Sequence, residues 1–406
     1  MKRQPLIMVM ILLSFFSSTR GRRSMLSEDD MEKELKMLNK PYVISFKDNS
    51  GVVFDCVDIY KQPAFDHPLL KDHKLQFAPR PSSSTGLAST GGSCPNGTVP
   101  IRRTLKEDLV RESARSPVYK QTKDTSTVDG LHWRSHALAV LSFDYPVFWQ
   151  YKLEFARVLF NSNDGTPFQG ASAVVEAYQL AFPPEAASLA QIIVVDDRPT
   201  NATAVQTGWH IDISLEGDSQ TRFMVFWTVD NYQETGCPNM LCPGFVLMNQ
   251  ALTPGMVLPT GTPVTMDIEK DESGNWLVFL NTELVGYFPG PIVNGMSSGT
   301  QVQMGGSVYS PPSLNASPPM GSGVPPLPGP YNGAAKFTRI SFHGPKGFTY
   351  RTTNDVANST IYNVMVTSTS PDGPEGVAFQ YGGPGGSWKQ RAAAASVTSA
   401  TGSSLC

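Results

Sequence analysis

The residues of this 406-residue chain with familiar chemical spacings are two glycine-framed motifs, a scatter of histidines and five cysteines. Gly295-Met296-Ser297-Ser298-Gly299 has the GxSxG spacing that presents a nucleophilic serine, but that turn needs a strand before it and a helix after it. Here Pro289, Gly290 and Pro291 precede it and a strand-like stretch follows, so a plain loop is expected. Gly382-Gly383-Pro384-Gly385-Gly386 has the glycines of a phosphate loop without its Lys-Ser/Thr ending, and is expected to be a turn. The histidines (His67, His73, His132, His136, His210, His343) are scattered and no HExxH occurs, so neither a metal nor a cofactor is expected. Among the cysteines no CxxC pair suggests zinc. Cys237 and Cys242 are close enough to staple a short loop, Cys56 and Cys94 could bridge the N-terminal segment, and Cys406 is left over.

The elements around these residues read as strands. Trp209, Ile211, Ile213 and Leu215 alternate with His210, Asp212 and Ser214, the pattern of a strand with one buried face. Phe223 to Trp227 reads as buried on both sides, and Val264, Met266 and Ile268 alternate with Thr265, Asp267 and Glu269. Trp276–Leu280 and Leu284–Phe288 flank a short polar turn at Asn281-Thr282, as in a hairpin. Gln301, Gln303 and Ser307 alternate with Val302, Met304 and Val308, and Ile340 and Phe342 alternate with Arg339, Ser341 and His343. Many short strands with scarcely a helical period imply an all-β fold, a large antiparallel β-sandwich. Before it, Asp29 to Asn39 has helical spacing and Lys40 to Tyr60 looks extended, which makes a small α+β unit. The Pro-rich stretch from Ser310 to Gly329 cannot be a central strand; it is a loop over the sandwich or a polyproline docking segment.

Lys2-Arg3, the apolar run Leu6 to Phe16 and small residues after it describe a secretory signal peptide, expected over 1–21. Eleven apolar residues are too few to cross a bilayer, so no membrane anchor is expected. Sequons at Asn96, Asn201, Asn315 and Asn358 fit an exported glycoprotein, either secreted or delivered to the vacuole. The net charge of −3 argues against nucleic acid as a partner. A Ser/Gly/Pro linker (Pro79 to Gly97) and a charged, Ser/Thr-rich stretch (Lys106 to Asp129) place a boundary near 128, giving units over 22–128 and 129–406.

Several segments together resemble the plant neprosin family. In the N-terminal part they are Asp55-Cys56-Val57-Asp58-Ile59-Tyr60 through His67-Pro68, and Cys94-Pro95-Asn96-Gly97-Thr98 through Arg102-Arg103-Thr104. In the C-terminal part they are Gly208-Trp209, Glu234-Thr235-Gly236-Cys237 through Cys242, Gly274-Asn275-Trp276, Val302-Gln303-Met304-Gly305-Gly306, Met320-Gly321-Ser322-Gly323 and Tyr381-Gly382-Gly383. The resemblance implies an activation domain ahead of a glutamic-peptidase β-sandwich. It also implies a proenzyme cutting proline-containing peptides with two glutamates that face each other across a cleft. One such carboxylate deprotonates water while its protonated partner polarises the amide carbonyl.

At the matching positions this chain carries Gln206, ahead of Gly208-Trp209, and Ser307, after Gly305-Gly306. An amide can position water or a carbonyl, but a serine hydroxyl cannot replace a carboxylate base. The expectation is therefore an impaired catalytic dyad on a polar cleft face that retains His210, Asp212 and Gln303, and that binds a proline-containing peptide or a cell-wall glycan. The alternative is an acid endopeptidase using a displaced carboxylate, Asp212, Glu216 or Glu283. The family also pairs a cysteine before a C-terminal tyrosine with one at the chain end; Ile361 precedes Tyr362 here, so Cys406 lacks that partner. Oligomeric state is not legible.

Overall fold

The computed structural model describes residues 28–76, 92–114, 152–198, 201–232, 235–345 and 349–387. The expected signal segment, the boundary near 128 and Cys406 lie outside them. The N-terminal unit consists of helix α1 (Glu28–Leu38), strands β1 (Tyr42–Lys47), β2 (Val53–Asp58) and β3 (Thr98–Arg102), and helix α2 (Lys106–Ala114). Its strands form one antiparallel sheet in the order β1-β2-β3, and a Cys56–Cys94 disulfide ties β2 to the approach to β3.

Strands β4 (Lys152–Ser162), β5 (Gly170–Glu176), β6 (Ala187–Asp196) and β7 (Thr203–Asp212) follow, then the one-turn helix α3 (Ile213–Glu216). Next come β8 (Arg222–Thr228), β9 (Cys237–Pro238), β10 (Val246–Leu247) and β11 (Pro263–Lys270). The hairpin of β12 (Trp276–Leu280) and β13 (Glu283–Phe288) leads to β14 (Gln301–Ser310) and β15 (Ala316–Ser317). Strands β16 (Ala335–His343), β17 (Tyr350–Val356), β18 (Asn363–Ser368), β19 (Val377–Gly382) and β20 (Gly386–Ser387) complete the described chain.

Two antiparallel sheets make the sandwich: β10-β13-β12-β11-β5-β16-β19-β18 and β17-β4-β14-β6-β7-β8-β9. Period-two patterning explains the layering, because residues at alternate positions share a face. Val205, Trp209 and Ile211 of β7 and Val302, Met304 and Val308 of β14 face inward, against Val264, Met266 and Ile268 of β11 and Phe337 of β16 in one buried core. The hairpin turn is where the sequence placed it, with Asn281 and Thr282 at φ 48° and 69°, the left-handed pair that a two-residue turn requires.

The core continues into the N-terminal unit through Val57, Ile59, Val99 and Ile101. Polar contacts reinforce this docking. Gln62 meets the backbone of Leu247 with both ends of its amide, accepting from Leu247 N at 2.7 Å and donating to Leu247 O at 3.1 Å. Cys94 N donates to Gln250 O at 2.8 Å, and His73 Nε2 lies 2.8 Å from the Tyr287 hydroxyl.

One expectation needs adjusting. The strand through Trp209 stops at Asp212, although Ile213 and Leu215 continue its alternation. Asp212 Oδ1 accepts from Leu215 N at 3.0 Å, which caps a helical turn instead, and Gly217 at φ 83° ends that turn. GxSxG is a loop between β13 and β14 with Ser297 exposed, as expected. The Pro-rich stretch crosses the sandwich mostly as a loop, with a 3-10 turn at Pro312–Leu314, the short strand β15 paired with β20, and Met320 buried against Gly306. Cys242 is disulfide-bonded, while the side chain of Cys237 lies outside the described set. Asn96 and Asn201 are exposed, Asn315 is half-buried, and Asn358 already donates Nδ2 to the buried Glu154 carboxylate at 3.0 Å.

Candidate functional site

The outward face of the seven-stranded sheet carries both Gln206 and Ser307. Gln206 lies on β7 and Ser307 on β14, with β6 between them. Ile193 of β6 pairs with both Gln206 and Gln303, and Leu189 pairs with both His210 and Ser307. Gln206 and Ser307 therefore stand on a diagonal, and Gln191 occupies the rung between them together with Gly208 and Gly305. Both glycines are required by close strand approach. A Cβ at Gly208 would sit 2.0 Å from Ala190 O, and one at Gly305 would sit 2.4 Å from Ala156 O.

A chain of amide and phenol groups, with one arginine–aspartate pair at its edge, covers this face. Gln191 Nε2 donates to Gln206 Oε1 at 2.9 Å, and Gln206 Nε2 donates to the Tyr232 hydroxyl. Arg157 Nη1 donates to Gln303 Oε1 at 2.7 Å, Gln303 Nε2 to Gln301 Oε1 at 2.7 Å, and Gln301 Nε2 to Asn161 Oδ1 at 2.9 Å. Arg157 is itself neutralised by Asp355, 2.9 Å away on β17. Beside these amides Ala187, Leu189, Met224 and Phe226 form an apolar cluster, with Tyr232 and Tyr309 packed on it. Burial pushes the Tyr309 phenol up to about 12 and raises that of Tyr232 as well, so both stay protonated.

Next to Ser307 lies a depression of about 10 Å³ walled by Arg157, Gln191, Ile193, Gln303, Met304, Gly305 and Ser307. That is room for about one water molecule. No carboxylate is among its walls.

His210 and Asp212 share the face of Gln206 by strand parity but are not open on it. Asp212 is buried, and its Oδ1 accepts from Leu215 N and from the Ser214 hydroxyl. His210 is fully buried, with Nε2 2.9 Å from Glu216 Oε1. Glu216 also accepts from Arg102 Nη1 at 2.7 Å and Asn239 Nδ2 at 3.3 Å, and Arg222 Nε lies 3.8 Å away. Burial alone would raise this acid, but the His210 hydrogen bond and the charges of Arg102 and Arg222 outweigh it and hold the carboxyl at about 2. Glu283 belongs to β13 of the opposite sheet.

Sequence reasoning missed Gln191, Arg157, Tyr232 and Tyr309. A single glutamine inside the apolar run Ser188 to Val195 was the available signal for Gln191. Among the described residues the cluster able to hold a metal is Asp267, Glu269 and His343, with ligand atoms within 4.8 Å of one another on the other sheet. Strand pairing across β5 joins His343 to residues more than seventy positions earlier.

The pattern "Neprosin" matches residues 184–384 and "Neprosin activation peptide" matches 45–142, together about three quarters of the chain. Scytalido-glutamic peptidase, solved with a peptide-based transition state analog, is 13% identical over 58% of this chain and 98% of its own, with a TM-score of 0.33. SCP-B, a member of the Eqolisin family of peptidases solved with the tripeptide Ala-Ile-His, is 12% identical over 58% and 98%, with a TM-score of 0.32. A beta-glucanase of Bacillus licheniformis is 7% identical over 39% and 66%, at 0.22. The chain belongs to the neprosin family, with an activation segment followed by a peptidase-like β-sandwich domain.

Proposed function

We propose that this chain is an exported neprosin-family protein whose outer sheet face holds an extended peptide, proline-containing sequences among them, without hydrolysing it. The observation that carries this reading is the depression beside Ser307, which has room for a water but no carboxylate in its wall. Gln206, at the other family position, is tied between Gln191 and Tyr232, and an amide has no proton-transfer role there. A positioned general base is worth roughly 10²–10⁴-fold in rate, and neither an alcohol nor a protonated phenol supplies one. The displaced carboxylates do not restore it: Asp212 caps a helix, Glu216 is held among cations, and Glu283 is on the other sheet.

What remains suits binding. Amides offer donors and acceptors to an extended backbone, while Leu189, Met224 and Phe226 offer apolar contact. The Gln303–Gln301–Asn161 ladder would also serve the hydroxyls of a cell-wall glycan, which is the other outcome of a ligand screen. Export is supported by the apolar N-terminal run and by the Cys56–Cys94 disulfide, since such bonds persist in oxidising compartments.

The test compares the unmodified protein with a Gln206→Glu, Ser307→Glu double variant on proline-containing peptides at acid pH. Gln191 and the Tyr232 hydroxyl can both donate to a carboxylate at 206, so that substitution fits its surroundings. Cleavage at the buffer blank by the unmodified protein, rising about 100-fold or more in the variant, is expected. Robust and equal cleavage by both would overturn the reading.

A further inference from the structure

Arg102 belongs to the N-terminal unit, yet its guanidinium is received by the sandwich domain 114 positions later in the chain. Nη1 donates to Glu216 Oε2 at 2.7 Å and Nη2 donates to the backbone oxygen of the same residue at 2.9 Å. Two acceptors side by side match the planar fork of a guanidinium, whereas a lysine ammonium would act as a point charge. Asp108 of its own unit lies 3.5 Å from Nη2, and the remaining partners belong to the sandwich domain: His210 and Asn239 hold the second carboxylate oxygen, and the side chain of Glu216 is 2% exposed. A cavity of about 80 Å³ opens beside it at the seam of the two units, with Leu215, Met240 and Leu241 of the sandwich domain and Leu38, Pro63 and Ile101 of the N-terminal unit in its wall to take an aliphatic stem.

The receptacle does not satisfy every donor of Arg102. The Nε is buried without a hydrogen-bond partner among the described residues, an unfavourable state for a donor. Arg222 contributes charge at 3.8 Å but no hydrogen bond to Glu216, because its own donors go to Asp218, Gly255 O and the Ser50 hydroxyl. Removing Arg102 would leave a buried carboxylate short of a partner, and such a site selects strongly for a cation.

The receptacle adjoins the amide-covered face. His210, which holds Glu216, is the rung-mate of Ser307 with Leu189 between them. Two strand spacings separate them, roughly 10 Å, which an extended peptide spans in about three residues. We propose that Glu216 forms a guanidinium-binding subsite of the sandwich domain, filled in cis by Arg102 and open in its absence to an arginine side chain of a bound peptide. This rests on the peptide-binding reading of the adjoining face.

The test uses the full chain carrying Arg102→Ala, with Arg102→Gln as a second variant should the first fail to fold. Thermal unfolding is followed against methylguanidinium chloride, with sodium chloride at equal ionic strength as control. A saturable rise in Tm at millimolar methylguanidinium is expected in the variant and not in the parent or in Arg102→Ala, Glu216→Gln. Absence of the rise overturns the inference, as does failure of both variants to fold, since a subsite must outlast its cis occupant. A second arm measures binding of an acetylated Pro-Ala-Arg amide and its citrulline counterpart to the variant by calorimetry. Arginine is expected to bind about tenfold tighter or better. Equal binding would overturn the subsite and leave the face reading standing. If neither peptide binds while methylguanidinium does, the subsite stands and the face reading falls.

Discussion

Gln206 and His210 stand four residues apart on β7 and project from the same face of the sheet, yet their surroundings are electrostatic opposites. Around Gln206 the partners are an amide and a phenol, and the nearby arginine is already matched by Asp355. Around His210 a fully ionised carboxylate is buried between two guanidinium groups. An acid is thus present as a partner of His210, four residues along β7 from Gln206, but with its oxygens already taken. A carboxyl held at about 2 stays ionised through mildly acid pH, cannot serve as the protonated partner of a dyad, and has its oxygens occupied. The contrast separates possessing an acid from placing one. The first region is a network of amides and phenols, and the second holds two parts of the chain together.

The largest expected effect comes from the residue that joins the two regions. Gly208 lies between Gln206 and His210, and a Cβ there would meet the backbone of Ala190 and Gln191 at 2.0 and 2.9 Å. Backbone cannot rotate away as a side chain can, so β7 would have to separate from β6 and both regions would lose their geometry. Gly208→Ala should cost on the order of 3 kcal/mol or more, lowering the melting temperature by roughly 10 °C. A melt within about 2 °C of the parent would show that the close strand approach is not needed to hold the two regions together.

Next is Glu216→Gln, which isolates the charged region. The folded-state carboxyl is held at about 2 against an ordinary 4.5. A depressed acid contributes stability that is fully present above about pH 4.5 and lost as pH falls through 2. The variant should therefore be less stable than the parent at neutral pH, and the gap should narrow by roughly 3 kcal/mol between pH 5 and 2. Urea unfolding at several pH values measures it. A gap that does not change with pH would mean that Arg102, Arg222 and His210 do not hold the acid down.

How much of this contrast the sequence reveals depends on which forces set each part. Strands β7, β11 and β14 are legible because burying one face of a strand imposes alternation, β8 as a short continuous apolar run, and the β12–β13 hairpin from the Asn281-Thr282 turn, whose two left-handed residues define it. Helix α3 is not legible from alternation, since Ile213 and Leu215 continue the strand pattern and a single capping bond from Asp212 decides against it. Positions 206 and 307 are readable from their flanking glycines, whereas Gln191 is hidden because all ten residues of β6 are buried and no period marks one face. The pairs Arg157–Asp355 and Arg102–Glu216 bridge 198 and 114 positions. Strand register and domain docking create them, and no local spacing announces either.

The smallest effect sharpens the neutral side of the comparison. Tyr232→Phe keeps the ring, whose centroid lies 5.7 Å from that of Phe226, and removes only the oxygen that accepts from Gln206. One hydrogen bond in a partly buried network is worth about 1 kcal/mol net. Neither partner titrates in the acid range, because the Gln206 amide is neutral and burial raises the Tyr232 phenol further. The loss should therefore be the same at pH 7 and at pH 3, measured by the same urea unfolding that follows Glu216→Gln. A loss that grew or shrank across that range would place an ionisable group in contact with Gln206, and would return to this face the proton acceptor that its amides and phenols lack.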